Sequence, residues 1–132
     1  MFNRSFVCYN GHGIHGNVLL REAIAKSCDI YFYEAGWRTS PETIAAEARR
    51  FHLDQRTGVE LPSETSRMLI PEPAWKLRAR GDKWQPGDTA NMAIGQGDVL
   101  VTPLGMACFA ASVARGEIFT VRNYRPSWAV RP

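Results

Sequence analysis

The stretch NVLLREAIAKSCDIYFYEAG, from Asn17 to Gly36, decides how this chain is read. Val18, Leu19, Leu20, Ala23, Ile24 and Ala25 recur at helical spacing, and Asn17 stands where it can cap them. The pattern predicts a break at Ser27-Cys28-Asp29. A second short apolar helix then runs through Ile30, Tyr31, Phe32, Tyr33 and Ala35, with Asp29 as its N-cap and Gly36 as its stop. The joint puts a hydroxyl and a carboxylate two positions apart. Residues so spaced do not share a helix face, but at a break both side chains can point into one cleft. Capping alone would account for Asp29, so Ser-x-Asp by itself is a weak signal.

Outward from this stretch the signals remain mostly helical. Ser40-Pro41 and Thr102-Pro103 each pair a capping hydroxyl with a proline at the first helical position. The first should open a helix carrying Ile44, Ala45, Ala48 and Phe51. The second should open one through Leu104, Met106, Ala107, Cys108, Ala111 and Val113, ending near Gly116. Residues 52–72 hold Gly58, Pro62 and Pro71 and read as loop with one short extended piece. A short helix is expected after Pro73, and Ile118 to Arg122 reads as a strand. The expected fold class is therefore mainly α with minor β. A strand without a partner is not stable, which hints that sheet residues lie outside this chain.

Composition sets the outer limits. The 132 residues carry a net charge of +3, with 45% hydrophobic and 22% charged residues, as in a soluble globular chain. No run of about 18 apolar residues exists, so no membrane span is expected. Met1 to Ser5 leads into no apolar h-region, so no signal peptide is expected. Basic residues interleaved with aromatics are missing, which argues against nucleic acid. Sixteen residues are Lys or Arg, but only Lys26, Lys76 and Lys83 are lysines. None of them follows a serine by three positions, and no Lys-Thr-Gly or Lys-Ser-Gly occurs. Ser112 and Arg115 have the spacing, but arginine stays protonated and cannot act as a base.

Other candidates have plain readings. Cys8, His12 and His15 lie close in sequence, but their spacing fits no closed zinc pattern, so a polar glycine-rich turn is expected and no metal or cofactor. Cys28 and Cys108 read as small core residues. Gly95-Gln96-Gly97 lacks the third glycine and the lysine of phosphate loops and reads as a turn where only glycine fits. No Gly-x-Ser-x-Gly elbow is present, though a hydrolase triad using His12, His15 or His52 stays open.

Four pieces in order carry a resemblance. They are His15-Gly16-Asn17-Val18 leading to Ala23-Ile24 and Ser27-Cys28-Asp29-Ile30-Tyr31-Phe32-Tyr33; Thr57-Gly58-Val59-Glu60-Leu61-Pro62-Ser63-Glu64; Trp84-Gln85-Pro86-Gly87-Asp88-Thr89-Ala90-Asn91-Met92-Ala93-Ile94-Gly95-Gln96-Gly97; and Val101-Thr102-Pro103-Leu104 with Met106-Ala107. Together they resemble the transpeptidase domain of class B penicillin-binding proteins, most closely the elongation type. The resemblance implies that residues 1–132 are a partial transpeptidase domain, the helical portion of a penicillin-binding/β-lactamase-like fold. It implies that Ser27-Cys28-Asp29 is the family's second motif, Ser-x-Asn, in an Asp-bearing form. Ser27 would then relay protons in catalysis, and Asp29 would bind the amide of a stem peptide or β-lactam.

The first motif, with nucleophile and lysine, and the third, Lys-Thr-Gly or Lys-Ser-Gly, would lie outside the chain. The resemblance also implies a place at the periplasmic side of the inner membrane. The rest of the domain, or a second copy, would cover an exposed apolar face. Two departures from the family pattern are His52-Leu53-Asp54, where Gly-Leu-Gly is usual, and Gly105, where Gln is common. Gly105 in a first helical turn should cost about 1 kcal/mol relative to Ala. A different class of function, a free-standing non-enzymatic helical binding module of the cell envelope, is the alternative.

Overall fold

The structure, a computed structural model, describes Cys8, residues 15–59 and residues 64–121. Six helices follow in chain order: α1 (Leu20–Ala25), α2 (Asp29–Thr39), α3 (Pro41–Arg50), α4 (Pro73–Arg80), α5 (Pro86–Ala93) and α6 (Pro103–Arg115). The described residues include an antiparallel β-bridge, Leu69 with Leu100, and Cys8 also lies in a bridge. The mainly helical fold class holds. The expected strand at Ile118 does not form over residues 118–121. Phe119 donates its backbone N–H to the Ser112 hydroxyl at 2.8 Å. Arg122 lies outside the described residues.

The chain divides into two compact units. One holds residues 1–44 and 72–97; the other holds residues 45–71 and 98–132. In the first, α2 packs on α5 and α1 packs on α2. The Cβ positions explain the α2–α5 approach. Gly36 is buried, and a Cβ placed there would lie 2.5 Å from Cβ of Ala93. Gly36 is thus an interior contact and not the expected helix stop, and α2 continues to Thr39. A small buried cluster of Cys8, Ala23 and Cys28, flanked by Val18, Tyr31 and Phe32, joins α1 to α2.

Three polar anchors fix the same unit. Trp37 donates its indole N–H to the Pro86 carbonyl at 2.9 Å. Trp84 donates to the Thr89 hydroxyl at 2.8 Å. Lys76, only 9% exposed, reaches Asp88 at 2.7 Å. The same carboxylate oxygen accepts the Gln85 N–H at 2.6 Å, so one aspartate both starts α5 and holds α4 to it.

In the second unit Phe51 meets Phe109 edge to face, with centroids 5.0 Å apart, and Cys108 and Ser112 are buried on α6. Thr102 caps α6 as expected, accepting from the Gly105 N–H at 3.0 Å. A Cβ on residue 105 would sit 3.1 Å from that hydroxyl oxygen, so the glycine that weakens the helix leaves room for its cap. Gly116 ends α6 in the left-handed region, φ +71°, as expected.

Of the other starts, one is as expected and two differ. Ser40 does cap α3, its hydroxyl accepting from the Thr43 N–H at 3.3 Å. Helix α1 instead begins two residues after Val18, because Glu22 reaches back to the Leu19 N–H at 3.1 Å and fixes the start there. Asn17 is therefore not its cap. Asp29 is not a cap either: it lies within the first turn of α2, where its charge complements the helix dipole, and Cys28 is the N-cap residue.

Candidate functional site

The joint between α1 and α2 is held from inside and open outside. Ser27 N–H donates to the Ile24 carbonyl at 3.2 Å and Cys28 N–H to the Ala23 carbonyl at 2.9 Å. These bonds close α1 and wind residue 27 into the left-handed region at φ +48°. For a non-glycine residue that conformation is uncommon, and its cost is sustained by the surrounding structure. Cys28 is buried beneath while Ser27 is exposed and Asp29 half-buried. The Ser27 hydroxyl is thus displayed by a backbone whose own polar groups are satisfied.

Sequence reading missed Tyr33, one turn after Asp29 on α2. Burial raises its phenol above the ordinary tyrosine range, and the charges of Asp29 and Cys8 push it further the same way. The i, i+4 spacing from Asp29 was the available signal.

Below the joint the Cys8 thiol lies 3.6 Å from His15 Nδ1 and 3.8 Å from the Ser27 carbonyl oxygen, to which it donates. Cys8, His15 and Cys28 bring one sulfur, one nitrogen and one sulfur within 4.8 Å of one another. Sequence reading took Cys8 and His15 as residues of a polar turn; the fold brings Cys28 to them. The third member comes from the Ser-x-Asp joint itself, and no local spacing pattern could reveal it. His12, grouped with them in the sequence, lies outside the described residues. Two thiols and an imidazole are the donors a borderline-soft cation such as zinc takes. They supply three of its four usual positions, with the fourth left to a group that the described residues do not supply. A cation there would sit directly under Ser27.

The remaining sequence candidates resolve as follows. Gly95 and Gly97 have φ of +71° and +74°, so their turn needs glycine. Lys76 is committed to Asp88. His52 borders a cavity of about 140 Å³ with Phe51, Gly105, Cys108 and Phe119, and among the described residues that line it there is no serine. His15 faces the Cys8 thiol, so neither described histidine is hydrogen-bonded to a serine among the described residues. In the second matched piece, Glu64 accepts from Thr57 N–H at 2.6 Å and Thr57 Oγ1 at 2.7 Å, and from Gly58 N–H at 3.3 Å. The Thr57 hydroxyl, more than the two backbone bonds and nearby Arg56, holds its carboxyl below the usual glutamate range.

With this geometry in place, the family model of the penicillin-binding protein transpeptidase domain matches residues 3–124. The chain belongs to that family, as a partial transpeptidase domain of the class B elongation type. It is 43% identical over 100 residues to the peptidoglycan D,D-transpeptidase MrdA of Acinetobacter baumannii, covering 76% of this chain and 15% of that protein. It is 31% identical over 126 residues to MrdA of Salmonella typhimurium, covering 86% and 20%. Among solved structures, penicillin-binding protein PBP2 from Helicobacter pylori superposes with a TM-score of 0.78 at 34% identity, covering 96% of this chain and 24% of that one. The complex between PBP2 and MreC from the same organism gives 0.72 at 37% identity, covering 85% and 22%. The chain therefore spans about a fifth of the relatives it matches. These relatives disfavour a free-standing binding module.

Proposed function

We propose that this chain supplies the second active-site motif of a peptidoglycan D,D-transpeptidase, with Ser27 as proton relay and Asp29 as substrate-binding carboxylate. The observation that carries the reading is the Ser27 joint. A hydroxyl is displayed at φ +48° on a buried footing, with the carboxylate of Asp29 opening the next helix. A hydroxyl both donates and accepts, so it can pass a proton on to a leaving amine or take one from an attacking amine to a base. A carboxylate in the first helical turn lies at the positive end of the helix dipole and can accept from an amide N–H. No serine among these 132 residues has a lysine at the required spacing, so the nucleophile and base come from other parts of the domain.

The substrate class is a D-Ala-D-Ala stem peptide, with β-lactams as its mimics. Its setting is cell-wall synthesis in the envelope. No helix among the described residues is long and apolar enough to cross a membrane. On α1, Leu20 and Ile24 are 54% and 61% exposed one turn apart, beside Leu19 at 77%; the rest of the transpeptidase domain is the surface that covers them. The complex of PBP2 with MreC from Helicobacter pylori supports a protein partner as a further partner for the complete enzyme.

Fluorescent penicillin tests the reading. The 132-residue chain should not be labelled covalently, and in the complete transpeptidase Ser27→Ala should slow acylation by about 10²- to 10⁴-fold. Labelling of the chain itself, or an unchanged rate for Ser27→Ala, refutes it.

A further inference from the structure

The first unit holds a shallow, widely open concavity of about 380 Å³. Its walls are the rings of Trp37, Trp84, Pro41, Pro73 and Pro86, and Glu42 is the charged side chain among the residues that line it. Both tryptophans are half-buried, and both indole N–H groups are already used, on the Pro86 carbonyl and the Thr89 hydroxyl. The pocket therefore offers no indole donor. It offers indole surface from two tryptophans, proline rings and one carboxylate. Glu42 is exposed in the first turn of α3 and has no partner among the described residues. Lys76 and Asp88 offset each other, so Glu42 sets the sign of the pocket.

We propose that this pocket takes an arginine side chain presented by a partner polypeptide. A guanidinium is flat, stacks on aromatic faces and pairs with a carboxylate in the same plane. Its three-carbon stem is apolar and suits the proline walls. A lysine ammonium lacks the flat face, and an acidic or neutral group would leave Glu42 unpaired. The walls are also fixed beforehand. Two indole hydrogen bonds and the Lys76–Asp88 pair hold α2, α4 and α5 in place, so little ordering is needed on binding.

The test is titration of the chain with the peptide acetyl-Ala-Arg-Ala-amide, read on the indole N–H resonances by NMR. The signals of Trp37 and Trp84 should shift saturably while that of Trp75 stays in place. The peptide with citrulline, neutral and of the same shape, should bind about tenfold more weakly. Glu42→Gln, on an exposed residue, should bring the arginine peptide down to the citrulline level. No saturable shift at these two indoles, equal binding of citrulline, equal binding of a lysine peptide, or an unchanged Glu42→Gln variant would overturn the proposal.

Discussion

Replacing Gly36 by alanine tests the packing of α2 on α5. In an open helix this change stabilises by about 1 kcal/mol. Here the new Cβ would stand 2.5 Å from Cβ of Ala93 and 3.5 Å from the Thr89 carbonyl oxygen. Carbon atoms prefer about 3.5–4.0 Å, so the helices must part by roughly 1 Å. Neither Cβ can rotate away, since each is fixed to its backbone. Overpacking of this kind costs about 1–3 kcal/mol, and the closeness of two immobile carbons puts it at the upper end. Subtracting the propensity gain leaves a net loss of about 2 kcal/mol. Ala93→Gly removes the opposing carbon and costs about 1 kcal/mol alone. In the double variant the clash is gone, so a coupling of about 2–3 kcal/mol should appear in the cycle. Urea melts followed by circular dichroism supply all four stabilities. A Gly36→Ala chain as stable as the parent, or a coupling within error of zero, refutes the reasoning.

Three further outcomes are expected. Lys76→Met should destabilise the chain by about 2–3 kcal/mol in the same melts, less than a wholly buried pair because the Asp88 side chain is 26% exposed; an unchanged midpoint would show that the pair contributes nothing. Glu64 has a folded pKa below its unfolded one, so its clamp on Thr57 stabilises the loop above the unfolded pKa and is lost as pH falls through the folded one. Thr57→Val should raise the Glu64 carboxyl toward its ordinary range in an NMR titration, and an unmoved titration contradicts the assignment. Cobalt(II) added as a probe for zinc should give thiolate charge-transfer absorption with the parent and with Cys108→Ser. The band should vanish with Cys8→Ser or Cys28→Ser, and its survival in either variant removes the cluster from consideration.

What was legible in the sequence follows the range of the interactions. Ser40-Pro41 and Thr102-Pro103 marked true helix starts because a cap is completed within three residues. Gly116 marked a true end for the same reason. Gly36 misled, since its partner Ala93 is far along the chain and a packing glycine has the same letter as a stop. The joint at Ser27-Cys28-Asp29 was visible, but its left-handed serine was not: glycine or asparagine is the usual sign of that conformation. Cys8 and His15 meet Cys28 through the fold around α1 and α2, so sequence spacing could not show the third member.

The two units interleave along the chain. Residues 1–44 and 72–97 make one, residues 45–71 and 98–132 the other, and α3 contributes residues to both. During synthesis the first unit stays incomplete until residue 97 has left the ribosome, because α2 waits for α5. By then residues 45–71 are already out, with Leu69 awaiting its bridge to Leu100. Neither unit can be removed or exchanged by a single cut, so inheritance and truncation act on the pair together.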